Sequence, residues 1–171
     1  LFKSDDILQV SINVSPIQLM EVDFVNKAEE ILNKYNVTWK NLCLEITETA
    51  VLDENIIIRD NLLLLNKKGV KIALDDFGTG YSSLNYLTKL PIDALKIDRS
   101  FVIDMIENHK SRWIVENIIQ LSHKLGIEVV AEGVELEEQV DYLKSILCDI
   151  VQGYFYSKPE SFEKVVNLLE K

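Results

Sequence analysis

Asp75 and Asp76 stand side by side where the apolar run Ile72-Ala73-Leu74 ends, and Phe77-Gly78-Thr79-Gly80 follows them. Two like charges about 4 Å apart repel by roughly 4 kcal/mol at an effective dielectric near 20, so an adjacent pair calls for a compensating cation. Asn13, Glu45, Asp75 and Asp76 are all hard oxygen donors. A donor set without His or Cys suits Mg2+ or Mn2+ over zinc. Adjacent aspartates can each face a different cation, or one can bridge two, and two ions roughly 3.5–4 Å apart form the clamp used for in-line attack on phosphate esters. Lys96 would add a fixed positive charge beside the attacking water or the phosphate. Glu132 would serve as a metal ligand or as the base that accepts the water's proton.

Each pair also has a plainer explanation. A lone pair of aspartates more often makes a turn or a helix cap. Lys96 with Asp98 reads as a simple ion pair on one strand, and Glu132 with Glu135 could open a helix. What favours chemistry is their number and their place in the chain.

Short β-rich runs recur: "ILQVSINVS" (7–15), "LCLEITE" (42–48), "VKIALDD" (70–76), "ALKID" (94–98), "IEVVAEG" (127–133) and "CDIVQGY" (148–154). Between them "QLMEVDFVNKAEEILNKY", "ENIIIRDNLLLLNKKG", "SFVIDMIENHKSRWIVENIIQLSHKLG" and "ELEEQVDYLKSIL" return apolar residues every three or four positions, the mark of a helix buried on one side. Gly69 and Gly126 stand where C-terminal caps belong. A short helical piece is expected around "SSLNYLTKL" before Pro91, and a last amphipathic helix in "SFEKVVNLLEK". Alternating strands and helices imply a parallel sheet in an α/β fold. Every run is apolar at its start and polar at its C-terminal end: Asn13 with Ser15; Glu45, Thr47 and Glu48; Asp75 and Asp76; Lys96 and Asp98; Glu132 and Glu135; Gln152. In a TIM-like (β/α) barrel those ends converge on one mouth, where the active site lies. An open doubly wound sheet is the alternative.

A chain of 171 residues, 47% hydrophobic and 27% charged, is ordinary globular composition for one domain. Its net charge of −10 argues against a nucleic-acid polymer or an anionic membrane as partner, though bound divalent cations can reverse the sign of an acidic site. No apolar run approaches the ~18 residues of a membrane span and no signal peptide is visible, so the expected location is the cytoplasm, or the cytoplasmic part of a membrane-anchored protein. Cys43 and Cys148 read as reduced core thiols there. His109 and His123 fall in helical stretches and are expected to face solvent. "DFG" invites comparison with protein kinases, but no Gly-rich phosphate loop, strand lysine or "HRD" loop accompanies it.

"INVSPIQL", "LEITET", "LDDFGTGYSSL", "LKIDRSF", "VVAEGVE" and "CDIVQGYFYSKP" resemble, in order and spacing, the blocks of the EAL family, bacterial phosphodiesterases of cyclic di-GMP. The resemblance runs through the whole chain. It implies a TIM-like barrel, dependence on Mg2+ or Mn2+, two ions in all, and hydrolysis of one phosphodiester bond to give linear pGpG. It matches Asn13, Glu45, Asp75 and Asp76 to the metal ligands, and Glu132 and Lys96 to the catalytic pair. Gln152 matches a glutamine at the nucleotide site, with Asp98 and Glu135 taken as substrate-binding beside it. Glu48 matches the residue that anchors the loop from Phe77 to Ser83, thought to couple metal binding to dimer contacts. A homodimer is the expected assembly, with sensor or GGDEF domains elsewhere in the full-length protein.

The resemblance has a gap. No Glu-Ala-Leu tripeptide occurs, and the family's first two strands usually precede the "NVS" block at which this chain starts. Residues 1–171 are therefore expected to be the C-terminal three-quarters of an EAL domain, with six of eight barrel strands. Losing a residue that merely orients a ligand commonly costs 10–100-fold in affinity or activity, so these residues alone are expected to be inactive or very poor. The outer strands should be raw edges, covered by another copy, by rearranged helices or by the N-terminal part. A receptor that binds the dinucleotide without cutting it is the alternative from another class, and a metal-assisted enolising barrel is a third.

Overall fold

The computed structural model describes residues 8–52, 55–78 and 85–169. Among the described residues six strands make one sheet: β1 Val10–Asn13, β2 Leu42–Thr47, β3 Lys71–Phe77, β4 Ala94–Ile97, β5 Glu128–Glu132 and β6 Ile150–Gln152. Neighbours are parallel throughout, and their order in space is their order in the chain. A doubly wound sheet reverses its winding at a switch point. Here no reversal occurs, and the sheet curls as an arc of a (β/α) barrel, with β1 and β6 as its edges among the described residues. The expected α/β barrel with six strands is the architecture found.

The covering elements are α1 Pro16–Leu19, α2 Phe24–Tyr35, a 3-10 turn at Trp39–Asn41, α3 Glu48–Leu52, α4 Ile56–Lys67, α5 Asn85–Lys89, α6 Arg99–Asp104, α7 His109–Leu125, α8 Glu137–Ser145 and α9 Phe162–Leu169. Two stretches that read as single helices are broken. The first divides into α1 and α2, and the Asn61 amide donates to the carbonyls of Leu19 and Glu21 at 2.9 and 3.0 Å in the break. The second divides into α6 and α7. Arg112 donates to the carbonyls of Met105 and Ile106 at 3.0 and 2.7 Å, and the Asn108 side chain accepts from the Lys110 N–H at 2.9 Å to start α7. Gly126 ends α7 in the left-handed region, φ +73°, as its position predicts. The first and last strands are shorter than expected, 10–13 and 150–152, and Glu48 opens α3 instead of closing β2. No helix among the described residues is long and apolar enough to cross a membrane.

Alternation along the strands gives the sheet two unlike faces. Leu44, Ile46, Ile72, Leu74, Leu95, Ile97, Val129 and Ala131 are buried in the main core beneath the helices. Burying each large aliphatic fully is worth about 1.5–3 kcal/mol. The opposite phase carries Cys43, Ala73 and Ala94, which form a small cluster of their own. Barrel interiors are usually filled by bulky branched residues. Small residues stand here below the longer polar side chains Glu45, Asp75 and Lys96 that follow them on the same strands.

Register is pinned at the N-terminal end by one device used three times. The residue just before each even strand turns its side chain onto the preceding odd strand or onto the residues that lead into it. Before β2, Asn41 donates to the Leu8 carbonyl at 3.0 Å. Before β4, Asp93 accepts from the Ile72 N–H at 2.9 Å, and before β6, Asp149 accepts from the Val129 N–H at 2.8 Å.

Candidate active site

All C-terminal ends of a parallel set emerge on the same rim. Lys96 of β4 lies there, 5% exposed, at the centre of three carboxylates from three other strands. Its Nζ is 2.8 Å from Glu45 Oε2 on β2, 3.0 Å from Asp75 Oδ1 on β3 and 2.7 Å from Glu132 Oε1 on β5. An ammonium has three donors, and each has an acceptor here. Burial alone would lower the Lys96 pKa, but bonds to Glu132, Glu45 and Asp75 outweigh it and hold the ammonium well above its usual range. Burial pushes the Glu132 carboxyl up, helped by Asp75 and Glu45 and opposed by Lys96. Asp76 is pushed up by burial and by the neighbouring Asp75 and Asp98, against Lys96. Three carboxylates thus contact one ammonium and a fourth, Asp76, lies within reach of its charge, so the excess negative charge calls for a cation.

Consecutive residues of a regular strand point to opposite faces, so Asp75 and Asp76 could not both reach the mouth on one. The register of β3 on β4 shifts between Leu74 and Phe77, and Asp76 adopts φ +55°, uncommon for a residue other than glycine. This bulge brings the second carboxylate round. Oxygens of Asp75, Asp76 and Glu132 then lie within 4.8 Å of one another, close enough to share an ion. Asn13 pairs in register with Glu45, which adds a neutral oxygen donor beside the cluster. An all-oxygen donor set of this kind fits Mg2+, Mn2+ or Ca2+.

The remaining expected residues fall around the same rim in different states. Gln152, exposed on β6, is the register partner of Glu132. Asp98 caps α6, accepting from the N–H of Ser100 at 3.0 Å and from its hydroxyl, so it is a helix cap as well as a rim charge. Glu135 is exposed, with its carboxylate 3.9 Å from Arg99 Nη2. Glu48 is buried at the start of α3, and among the described residues neither of its oxygens has a partner within hydrogen-bond geometry, although the Tyr86 hydroxyl lies near enough to feel its charge. Burial and the nearby Glu48 charge push the Tyr86 hydroxyl pKa up. The loop at 79–83 that Glu48 was expected to anchor lies outside the described residues. Both histidines are exposed, as expected: His109 starts α7, and His123 Nε2 meets Asp149 Oδ2 at 2.9 Å at the other end of the sheet. Cys43 and Cys148 are free thiols, as expected.

Sequence reasoning missed two contributors. Arg99 borders the mouth directly after Asp98, and Gln139 sits buried beneath the turn that carries Glu135. Gln139 had a signal: it is the third residue of α8 and bonds back to the N–H of the cap residue Leu136, half of a capping box.

A family model described as EAL domain matches residues 2–159. The cyclic di-GMP phosphodiesterase NbdA of Pseudomonas aeruginosa is 40% identical over 155 residues, 89% of this chain and 19% of that protein. The EAL enzyme Bd1971, in a form with cAMP and cyclic di-GMP bound, superposes with a TM-score of 0.90 at 41% identity, over 94% of this chain and 43% of that one. BlrP1 of Klebsiella pneumoniae, in a complex with manganese and cyclic di-GMP, superposes at 0.82 with 35% identity, over 88% of this chain and 39% of that one. The chain spans about a fifth of the length of the first curated relatives it matches.

Proposed function

This chain belongs to the EAL domain family, and from that premise we propose that it is the metal- and nucleotide-binding part of a phosphodiesterase that opens cyclic di-GMP with water to give linear pGpG. The observation that carries the reading is the gathering of Glu45, Asp75 and Glu132 around Lys96, with Asp76 turned in by the bulge. The names of NbdA and of the Bd1971 and BlrP1 complexes support the substrate. Residues 1–171 would be the C-terminal three-quarters of the catalytic domain. A homodimer working in the cytoplasm, with sensor or GGDEF domains elsewhere in the whole protein, belongs to the same proposal.

Asn13, Glu45, Asp75 and Asp76 would hold two Mg2+ or Mn2+ ions, which supply Lewis acidity to a water and neutralise charge on the phosphoryl oxygens. Glu132 is the base. Its carboxyl is held above the ordinary range, which brings it closer to the proton affinity that general-base work at neutral pH needs. Lys96 keeps Glu45, Asp75 and Glu132 at fixed spacing and places a positive charge where the scissile phosphate carries negative charge. Gln152, next to Glu132 in register, offers an amide to the nucleotide, and Asp98 and Glu135 border it on the α6 side.

The test is turnover of cyclic di-GMP by the whole protein with Mn2+, followed as pGpG. Glu132→Gln should lower kcat by about 10²–10⁴-fold, the usual share of a positioned base. Residues 1–171 alone should show little or no turnover. Binding of the dinucleotide by the whole protein without any pGpG would replace the hydrolase with a receptor.

A further inference from the structure

We propose that Gln139 is a positioning residue: it clamps the turn after β5 to α6 and so sets where Glu135 stands relative to Arg99 and Asp98. Its place in substrate binding rests on the phosphodiesterase reading above, while the clamp itself rests on geometry.

Gln139 is 2% exposed. An amide that deeply buried must satisfy its polar atoms within the protein. Its Oε1 accepts from the N–H groups of Glu135 and Leu136 at 2.8 and 3.0 Å, and its Nε2 donates to the Val102 carbonyl at 3.2 Å. The two N–H groups stand at the start of α8, where a helix leaves its amide donors unpaired. The carbonyl lies in the short helix α6, where the last carbonyls are likewise left over. One side chain therefore closes three backbone positions on two elements that are 37 residues apart.

The turn it holds has little room. Gly133 has φ +71°, and a Cβ there would come 2.6 Å from the Arg99 Cβ. Val134 is fully buried; its N–H donates to the Gln152 carbonyl at 3.1 Å and its carbonyl accepts from the Phe155 N–H at 3.0 Å. Residues 133–136 thus touch the front of α6 on one side and the end of β6 on the other. The Glu135–Arg99 pair, exposed and 3.9 Å long, is too weak to hold this arrangement by itself. Glu132 has independent anchors in Lys96 and in its strand pairing with β6. Removing Gln139 should therefore loosen substrate binding and leave the reacting centre in place.

In the whole protein, Gln139→Leu should raise KM for cyclic di-GMP about tenfold or more, keep kcat within about threefold and leave Mn2+ affinity unchanged. Amide hydrogen exchange should speed up together at 133–136 and 99–102. Gln139→Glu keeps the double acceptor but has no donor for the Val102 carbonyl, so exchange should stay slow at 133–136 and rise only at 99–102. That variant decides the matter should Gln139→Leu fail to fold, and unchanged exchange in it ends the proposal. An unaltered KM in folded Gln139→Leu, or a loss confined to kcat and Mn2+ affinity, also overturns it. If the wild-type protein neither binds nor cleaves the nucleotide, the phosphodiesterase reading falls instead. Exchange in Gln139→Leu then decides the clamp: joint opening of both segments supports it, and opening of either alone removes it.

Discussion

The two ends of the sheet use the same side chains to opposite effect. At the N-terminal end each carboxylate is satisfied locally. Asp93 accepts from the Ile72 N–H and from the Asn66 amide, and Asp149 accepts from the Val129 N–H and meets His123. At the C-terminal end Glu45, Asp75 and Glu132 converge on a single ammonium, and Asp76 joins them through an unfavourable backbone conformation. One end lowers the energy of the fold by pairing each charge with a fixed donor. The other gathers charges that repel one another, which a fold has no reason to do unless something positive is to be bound there. Residue type does not separate the two roles; the partner does.

The largest break in that comparison is expected from Lys96→Met. Removing one partner of a buried charge cluster typically costs about 3–5 kcal/mol, because the charges left behind stay desolvated and unpaired. In EDTA the urea midpoint should fall accordingly. Mn2+ should then stabilise the variant more than it stabilises the wild type, since the ion takes over neutralisation that the ammonium supplied. An unchanged midpoint without metal would mean that Lys96 is not what holds the three carboxylates together.

Next comes the quiet end. Asp93→Ala strands the Ile72 N–H and the Asn66 amide, and leaving a buried donor unsatisfied costs about 1–3 kcal/mol. Asp93→Asn retains an acceptor and should recover most of the loss. Neither variant should alter Mn2+ affinity or turnover per folded molecule. A change in metal affinity would show that the two ends are coupled through β3 and β4.

Much of this contrast was legible before any coordinates. The polar ends of six apolar runs marked the mouth, and "LDDFGTGYSSL" with its companion blocks marked the family. Strand pairing is local in a sheet wound one way, so chain order gave spatial order. Other features lay beyond periodicity. The helix breaks at 20–23 and 105–108 are held by distant side chains, Asn61 and Arg112, that compete for the backbone. Asp98 was read as a rim charge because a strand end and a helix cap look alike when one follows the other at once. The bulge at Asp75–Asp76 is a tertiary choice, since nothing in two adjacent aspartates says that one will turn left-handed. Asp93 and Asp149 passed unnoticed for the opposite reason: an aspartate before a strand is common, and only pairing with the preceding strand gives it a task.

That bulge allows a finer cut. Asp76→Gly should relieve the left-handed backbone and the charge together, whereas Asp76→Asn removes the charge and keeps a side chain at φ +55°. In EDTA, Asp76→Gly is expected to be more stable than wild type by about 0.5–1 kcal/mol, the left-handed penalty offset by the entropy glycine loses on folding. Both variants should lose turnover. The gap in urea midpoint between them then reads backbone strain less the entropy that glycine loses on folding. Equal midpoints would mean that the backbone strain is no larger than glycine's entropy cost, and would place most of the disfavoured energy of this end in its charges.

The smallest effect concerns pH, and its sign distinguishes the two ends. Glu132 and Asp76 have folded-state pKa values above the ordinary 4.5 and 3.8, with burial as the first cause in each. The folded protein therefore holds these protons more tightly than the unfolded chain does. The stability they contribute is fully present below the ordinary values and is lost as pH rises through the raised ones. In EDTA the difference in urea midpoint between Glu132→Gln and wild type should therefore drift in favour of the variant as pH rises from about 4 towards neutrality. Saturating Mn2+ should reverse the drift, because the ion favours the ionised carboxylate that the metal-free fold resists. If the difference stayed flat with pH in EDTA and in Mn2+ alike, Glu132 would titrate like a carboxylate in water. The rim would then store no repulsion for a cation to relieve, and the contrast between the two ends of the sheet would be one of position only.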